Sequence, residues 1–393
     1  MSVIASFHSH AERFNVDNNP ASFNRILTTK AITTYDLLPK NGKLSDGRMS
    51  WSETYWPANI GGISYRWNHP DPQPFTYELL TLEQLKTMPM TELEKLSPSE
   101  LYDISQSDYN YTLTRSVRSL TSKNDAWWEG ICHGWTQSAS NFPEPSKVIV
   151  INKDGIKVPF GASDVKGLLS MHDSNLAVQG TYAAVGKKCK VRGKVEGEED
   201  SRDGQLPKPT PEQMNLPECR DTNAGAFHVV ISNMIGIHGI SFIAEIDRFA
   251  DLWNQPVYAY ESTFDGDEPV TSEQSLDGIA RRIRVTNVMT YGEELQIWTQ
   301  KKATEHPTWI HWVSKNPVTG TNIQQFRKKT YQYILELDVN GNIVGGEWIS
   351  STRPDFIWAK VRKSFVDSYQ EDSSGTKHSL PLAGLKQIYH PLR

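Results

Sequence analysis

At 393 residues the chain is long enough for two or three domains and a sizeable core. Its 41 basic and 46 acidic residues leave a net charge of −5, which provides no electrostatic footprint for nucleic acid. No apolar run approaches the ~18 residues of a membrane span.

Residues 1–50 are polar, lack sustained periodicity, and are expected to form an N-terminal arm. They lack the apolar stretch of a secretory signal, so delivery outside the cell would need a route without an N-terminal signal peptide; cytoplasmic residence is the alternative. Residues 51–120 are expected to form an aromatic and helical subdomain. Trp51, Tyr55, Trp56, Tyr65 and Trp67 surround a turn at Gly61-Gly62. Three capping-box patterns follow, Thr81 to Gln84, Thr91 to Glu94, and Ser97 to Glu100 with Pro98 at the first helical position. They predict two or three short helices between residues 81 and 105.

The stretch Trp127-Trp128-Glu129-Gly130-Ile131-Cys132-His133-Gly134-Trp135 is the strongest candidate for chemistry. Ile131, Trp135, Ser138 and Ala139 share one helical face, and Pro143 ends the helix by displacing its predecessor from the helical region. A cysteine at a helix start is helped toward thiolate by the macrodipole and by unpaired N–H groups, which can also hold an oxyanion. The structural alternative is a buried cysteine among tryptophans. His133 is a poor base for Cys132, because adjacent helical residues point apart.

Val148 to Ile151, a turn at Asn152 to Gly155, and Ile156 to Val158 read as a hairpin. Ala162 to Leu169 begins like a helix, with Ser163 as the expected cap. Residues 186–225 form a long loop carrying the acidic run Glu196 to Asp203 and four prolines before Cys219. A Cys189–Cys219 disulfide would stabilise it by on the order of 3–4 kcal/mol; three reduced thiols are the alternative for an odd cysteine count. The acidic run is either a solvated surface or a site for a cation such as calcium.

Ala226 to Ser232 and Ser241 to Asp247 are rich in β-branched residues and flank a glycine turn at Gly236 to Gly239, so they are expected to pair as a hairpin. A register symmetric about that turn sets His228 opposite Asp247. A histidine oriented by a carboxylate is the base half of a Cys-His-Asp machine. The alternative is a strand histidine that meets a rim carboxylate, and a single bulge would break the pairing.

Asp251-Leu252-Trp253-Asn254-Gln255-Pro256-Val257 closely resembles the elicitor peptide of the oomycete cell-wall transglutaminase, a family that also occurs in marine vibrios. Ser97 to Asp103, Cys132 to Trp135, and Cys219 to His228 resemble the same family, so the likeness spans residues 50–360. The segment Tyr258 to Glu261 departs from it. The resemblance implies an α+β fold, with a papain-like cysteine-enzyme core over residues 121–360, an N-terminal helical subdomain and additional β-rich segments. It also implies a calcium-dependent transglutaminase joining peptide glutamine to lysine or another primary amine. Cys132 would be the nucleophile, His228 the acid and base, and Asp247 the residue that orients His228. Trp127, Trp128, Trp135, Trp253 and Pro256 would wall or buttress the substrate groove. The same residues could serve a papain-like amidase or peptidase that hydrolyses protein or cell-wall peptide. A non-catalytic elicitor or binding module is the third possibility.

Farther on, Arg282 to Met289 reads as a strand with Ile283, Val285 and Met289 on one face. Tyr331 to Leu337, Asn340-Gly341-Asn342 and Ile343-Val344 form a strong hairpin signal. Asp338, Asn340 and Asn342 have the opening spacing of a calcium loop, but Ile349 stands where its bidentate glutamate belongs, which favours the hairpin. Residues 361–393 are expected as a C-terminal tail.

Overall fold

The computed structural model describes residues 11–67, 77–175, 181–188, 221–246, 253–272, 274–295, 326–361 and 364–391. The fold is α+β, with one helix-rich and one sheet-rich apolar core. The chain opens with β1 (Glu12–Arg13), a one-turn helix α1 (Asn24–Leu27) and β2 (Asn41–Lys43). Helices α2 (Leu82–Thr87), α3 (Met90–Leu93), α4 (Pro98–Ser105), α5 (Thr112–Ser119) and α6 (Cys132–Asn141) follow. Next come β3 (Val148–Ile151), β4 (Lys157–Phe160), α7 (Ala162–Ser174), β5 (Thr181–Gly186) and α8 (Ala224–Ile231). Strands β6 (Ile243–Glu245), β7 (Asn254–Glu268), β8 (Arg281–Gly292), β9 (Phe326–Leu337), β10 (Ile343–Trp348) and β11 (Phe356–Val361) complete the large sheet. A closing hairpin, β12 (Ser368–Glu371) and β13 (Lys377–Leu380), precedes α9 (Leu385–Ile388).

Three short helices form between residues 81 and 105, two of them capped as predicted. Thr81 and Gln84 exchange reciprocal cap bonds, as do Ser97 and Glu100. Thr91 lies inside α3, which starts after Pro89. Asp103 then links α4 to α5, accepting bonds from Leu113 N, Thr114 N and Thr114 Oγ1 at 2.7–3.0 Å. At the start of α7 the cap is Gly161, whose N–H donates to Asp164 Oδ2 at 2.8 Å; Ser163 is inside the helix. These helices, the β3–β4 hairpin and the aromatic segment around Trp51 and Trp67 enclose the helix-rich core.

The large sheet runs β1-β10-β9-β8-β7-β6-β11-β5, with β2 also on β7, and every pairing is antiparallel. The β9–β10 hairpin forms around Gly341, whose φ of 75° suits glycine. Ile283, Val285 and Met289 of β8 enter the sheet-rich core as their alternation predicts. Arg282, on the opposite face, is buried too and bonds Glu336 Oε1 at 2.9 Å and Glu347 Oε2 at 3.1 Å.

Three expectations are corrected. Ala226 to Ser232 is helical, part of α8 and of a π-helical continuation over Ser232–Ile237. Asn223 Oδ1 caps it through Ala226 N, and every residue of α8 is buried. An unbroken apolar run carries no periodicity that separates buried helix from buried strand, so its β-branched residues misled. The hairpin that set His228 opposite Asp247 therefore does not exist, and β6 pairs with β7 and β11. Residues 1–50 are no loose arm where they are described: Phe23, Ile26, Leu27, Leu44 and Met49 are core residues. Likewise the C-terminal tail folds, burying Leu380, Leu382, Leu385 and Ile388 in the helix-rich core.

Helix α6 packs on α7 and also touches β6, β7 and β11, so its N-terminus stands between the two cores. Close approach to α7 depends on Gly134, where a Cβ would lie 2.1 Å from Ser170 O. Gly134→Ala should lower stability by about 1–3 kcal/mol in urea unfolding through overpacking. Gly47→Ala, whose Cβ meets nothing within 4 Å, should change stability by less than about 0.5 kcal/mol.

Candidate active site

Cys132 is the first residue of α6, preceded by Ile131, whose side chain makes no capping bond. The loop that delivers it is held by an irregular segment, Trp51 to Ala58. Ile131 N donates to Tyr55 O at 2.8 Å, Ala58 N to Glu129 O at 2.8 Å, and Tyr55 Oη to Trp127 O at 2.6 Å. Gly130 is required here because a Cβ would sit 2.5 Å from Tyr55 O. The same segment also holds the chain just past β8, since Leu295 N donates to Glu53 O at 3.1 Å.

Across from the helix start, Asn254 opens β7. Its Oδ1 accepts from Trp358 Nε1 at 2.8 Å, which leaves Nδ2 to face Cys132 Sγ at 3.9 Å. Trp358 lies on β11, and Glu245 of β6 is the register partner of Asn254. Three adjacent strands therefore meet one helix N-terminus at the sulfur. Cys132 as a residue is half-buried, yet its sulfur is enclosed. Burial first, then the carboxylates of Glu294 and Glu245, push the thiol up to about 12, against hydrogen bonds from Asn254 and from the His133 N–H. The thiolate expected from the helix position is thus outweighed by enclosure and neighbouring acids. Glu294 is itself raised to about 8, by burial and then by Glu293.

The other expected site residues are distributed differently. His228 lies on α8, where Nδ1 is 2.8 Å from Tyr333 Oη and the ring stacks on Tyr35; no hydrogen bond joins it to Cys132. Asp247, Cys189 and Cys219 lie outside the described residues. Trp135 is no groove wall: it is fully buried and donates through Nε1 to Trp51 O at 3.2 Å. Pro256 is buried in β7 opposite Ile243. Trp127 is 47 % exposed, and Trp128 and Trp253 are half-buried. His133 Nε2 meets Ser174 O at 3.2 Å. Sequence reasoning passed over Asn254, Trp358 and Glu294 as functional candidates. Only Asn254 carried a signal, its place in the Trp253-to-Val257 string.

Among the described residues no three acidic, histidine or cysteine side chains converge to hold a metal ion. The Asp338 turn does not fit calcium, because its carboxylate accepts from Asn340 N, Asn342 N and Asn342 Nδ2. The acidic run Glu196 to Asp203 is outside the described residues.

A family model described as transglutaminase elicitor matches residues 112–373. The structure is similar to the crystal structure of the GP42 transglutaminase from Phytophthora sojae, with a TM-score of 0.60 at 18 % identity, covering 96 % of this chain and 98 % of that one. At that identity the likeness is one of fold. No curated protein matches the chain significantly.

The position of Glu294 makes a pH-resolved prediction. Above about pH 8 its carboxylate opposes the Cys132 thiolate, and Glu294→Gln removes that charge. The thiol pKa should therefore fall, and iodoacetamide alkylation at pH 9 should quicken roughly three- to tenfold. At pH 6.5, where Glu294 is protonated in the parent, the two rates should agree within about twofold.

Proposed function

Because the chain belongs to the transglutaminase elicitor family, we propose that it is an acyltransferase that joins peptide glutamine to a primary amine through a thioester on Cys132. The observation that carries this reading is the Cys132 sulfur at the first turn of α6, faced by an Asn254 amide that Trp358 holds in one orientation. A cysteine at a helix start, faced by an asparagine amide that a tryptophan indole bonds, is compatible with a cysteine-nucleophile site.

The sulfur attacks the glutamine carboxamide carbon, the S–C bond forms, and the C–N bond breaks as ammonia departs with the thiol proton. An amine then forms the new C–N bond, the C–S bond breaks, and the amine proton returns to sulfur. N–H groups at the start of α6 stabilise the oxyanion in both steps. The resting thiol is protonated, so deprotonation accompanies attack. Glu294, raised to about 8 and one of two carboxyl groups, with Glu245, whose charge acts on the sulfur, is our candidate for the acid–base group. Trp127 and Trp128, close in sequence to Cys132, and Trp253, next to Asn254, would limit the water that otherwise competes with the amine.

The test incubates the full chain and Cys132→Ala with a glutamine peptide and a fluorescent primary amine, with calcium and with chelator. The parent should incorporate the amine, and Cys132→Ala should lose at least about a thousandfold of that rate. Cys132-dependent ammonia release without incorporation would replace the proposal with a hydrolase. Neither product would replace it with a binding module. A chelator-sensitive rate would add a calcium requirement.

A further inference from the structure

A second site is built into the sheet-rich core around His228. The histidine is 3 % exposed and lines a cleft of about 340 Å³ with Tyr35, Asp36, Lys40, Phe264 and Arg281. None of these residues is among the groups that face Cys132. We propose that this cleft binds a small carboxylate with an apolar body, taking its carboxylate between His228 Nε2 and Arg281 and its body against Tyr35 and Phe264.

The donor character of His228 follows from its other nitrogen. Tyr333 is fully buried, and its phenol oxygen lies 2.8 Å from His228 Nδ1. Ser262, whose hydroxyl accepts from Asn287 Nδ2 at 2.8 Å, lies beside the same phenol. A buried O–H without an acceptor is costly, and a neutral imidazole nitrogen accepts more strongly than a hydroxyl oxygen, so we assign the Tyr333 proton to Nδ1. Burial drives the histidine pKa down to about 4, so the ring is neutral at pH 7 and its one proton sits on Nε2. Nε2 makes no hydrogen bond among the described residues and is not sealed from the cleft. The chain Asn287, Ser262, Tyr333, His228 thus ends in an N–H aimed at open space. A neutral donor nearly removed from water calls for an acceptor.

Arg281 selects the charge of that acceptor. Its Nε bonds Asp267 Oδ1 at 2.8 Å, which leaves its terminal nitrogens as donors. Lys40 and Asp36 at the rim balance one another, so net charge does not choose the ligand; the converging donors do. The volume falls at the small end of ligand sites.

The test uses the full chain and its Cys132→Ala form, titrated with 3-phenylpropionate and with 3-phenylpropionamide, while ¹⁵N spectra follow the histidine rings. Before ligand, His228 should show the Nε2–H tautomer. The carboxylate should bind both forms with a Kd of about 1 mM or tighter, and the amide at least about tenfold more weakly. Binding should move the His228 Nε2 resonance, and Arg281→Gln, a change at a partly exposed side chain, should weaken the carboxylate at least about fivefold. An Nδ1–H tautomer, equal binding of acid and amide, an unmoved His228 signal, or loss of binding in Cys132→Ala would each overturn the proposal.

Discussion

The arrangement of this protein depends on a stretch that is neither helix nor strand. Residues Trp51 to Pro57 are buried, and a buried backbone must find partners for its polar groups. Without a sheet to supply them, it takes them from everything around it. Trp51 O accepts from the Trp135 indole, and the Trp51 indole donates to Phe142 O, so α6 is gripped near both ends. Ser52 O accepts from Lys166 of α7, Glu53 O from Leu295, and Tyr55 O from Ile131. Trp56 is held at a φ of 53°, a region bulky side chains rarely occupy, next to the loop that presents Cys132. Hydrogen bonding of an irregular segment thereby sets where the sulfur stands relative to both cores.

Strand β7 divides its length between two chemistries. Its first residue, Asn254, faces the sulfur, while Ser262 to Phe264 border the cleft over His228. Between them the strand is clamped by β8 on one side and by β6 and β2 on the other, with bulges at Val257/Ala259 and Phe264/Gly266. Bulges re-aim side chains without ending a strand. One rigid element thus serves an enclosed, acid-lined thiol at one end and a neutral donor at the other.

What the sequence disclosed was local. Capping boxes at Thr81 and Ser97, the Asn152–Gly155 turn and the Asn340-Gly341 turn each specify structure within a few residues, and each forms. The helix beginning at Cys132 was legible for the same reason. The His228 environment was not, because an apolar run that is buried all round has no face to reveal its period. Neither were Glu294 and Trp358, which come to the Cys132–Asn254 site only after distant strands pair. Family resemblance supplied the Trp253-to-Val257 string, and the Asn254 side chain gives one of its positions a physical task.

The sheet's outermost pairing has a consequence for biosynthesis. Glu12 pairs with Gly346 and Arg13 with Gly345, and Asn41 to Lys43 lie along Ala259 to Glu261. On a ribosome adding ~5–20 residues per second, β1 therefore waits on the order of tens of seconds for a partner. During that wait Phe23, Ile26 and Leu27, core residues of the finished protein, have no sheet to cover them. Emerging chains are thus most open to chaperones, and to one another, along the segment from β1 to α1, and the sheet-rich core closes only after β10 has been translated.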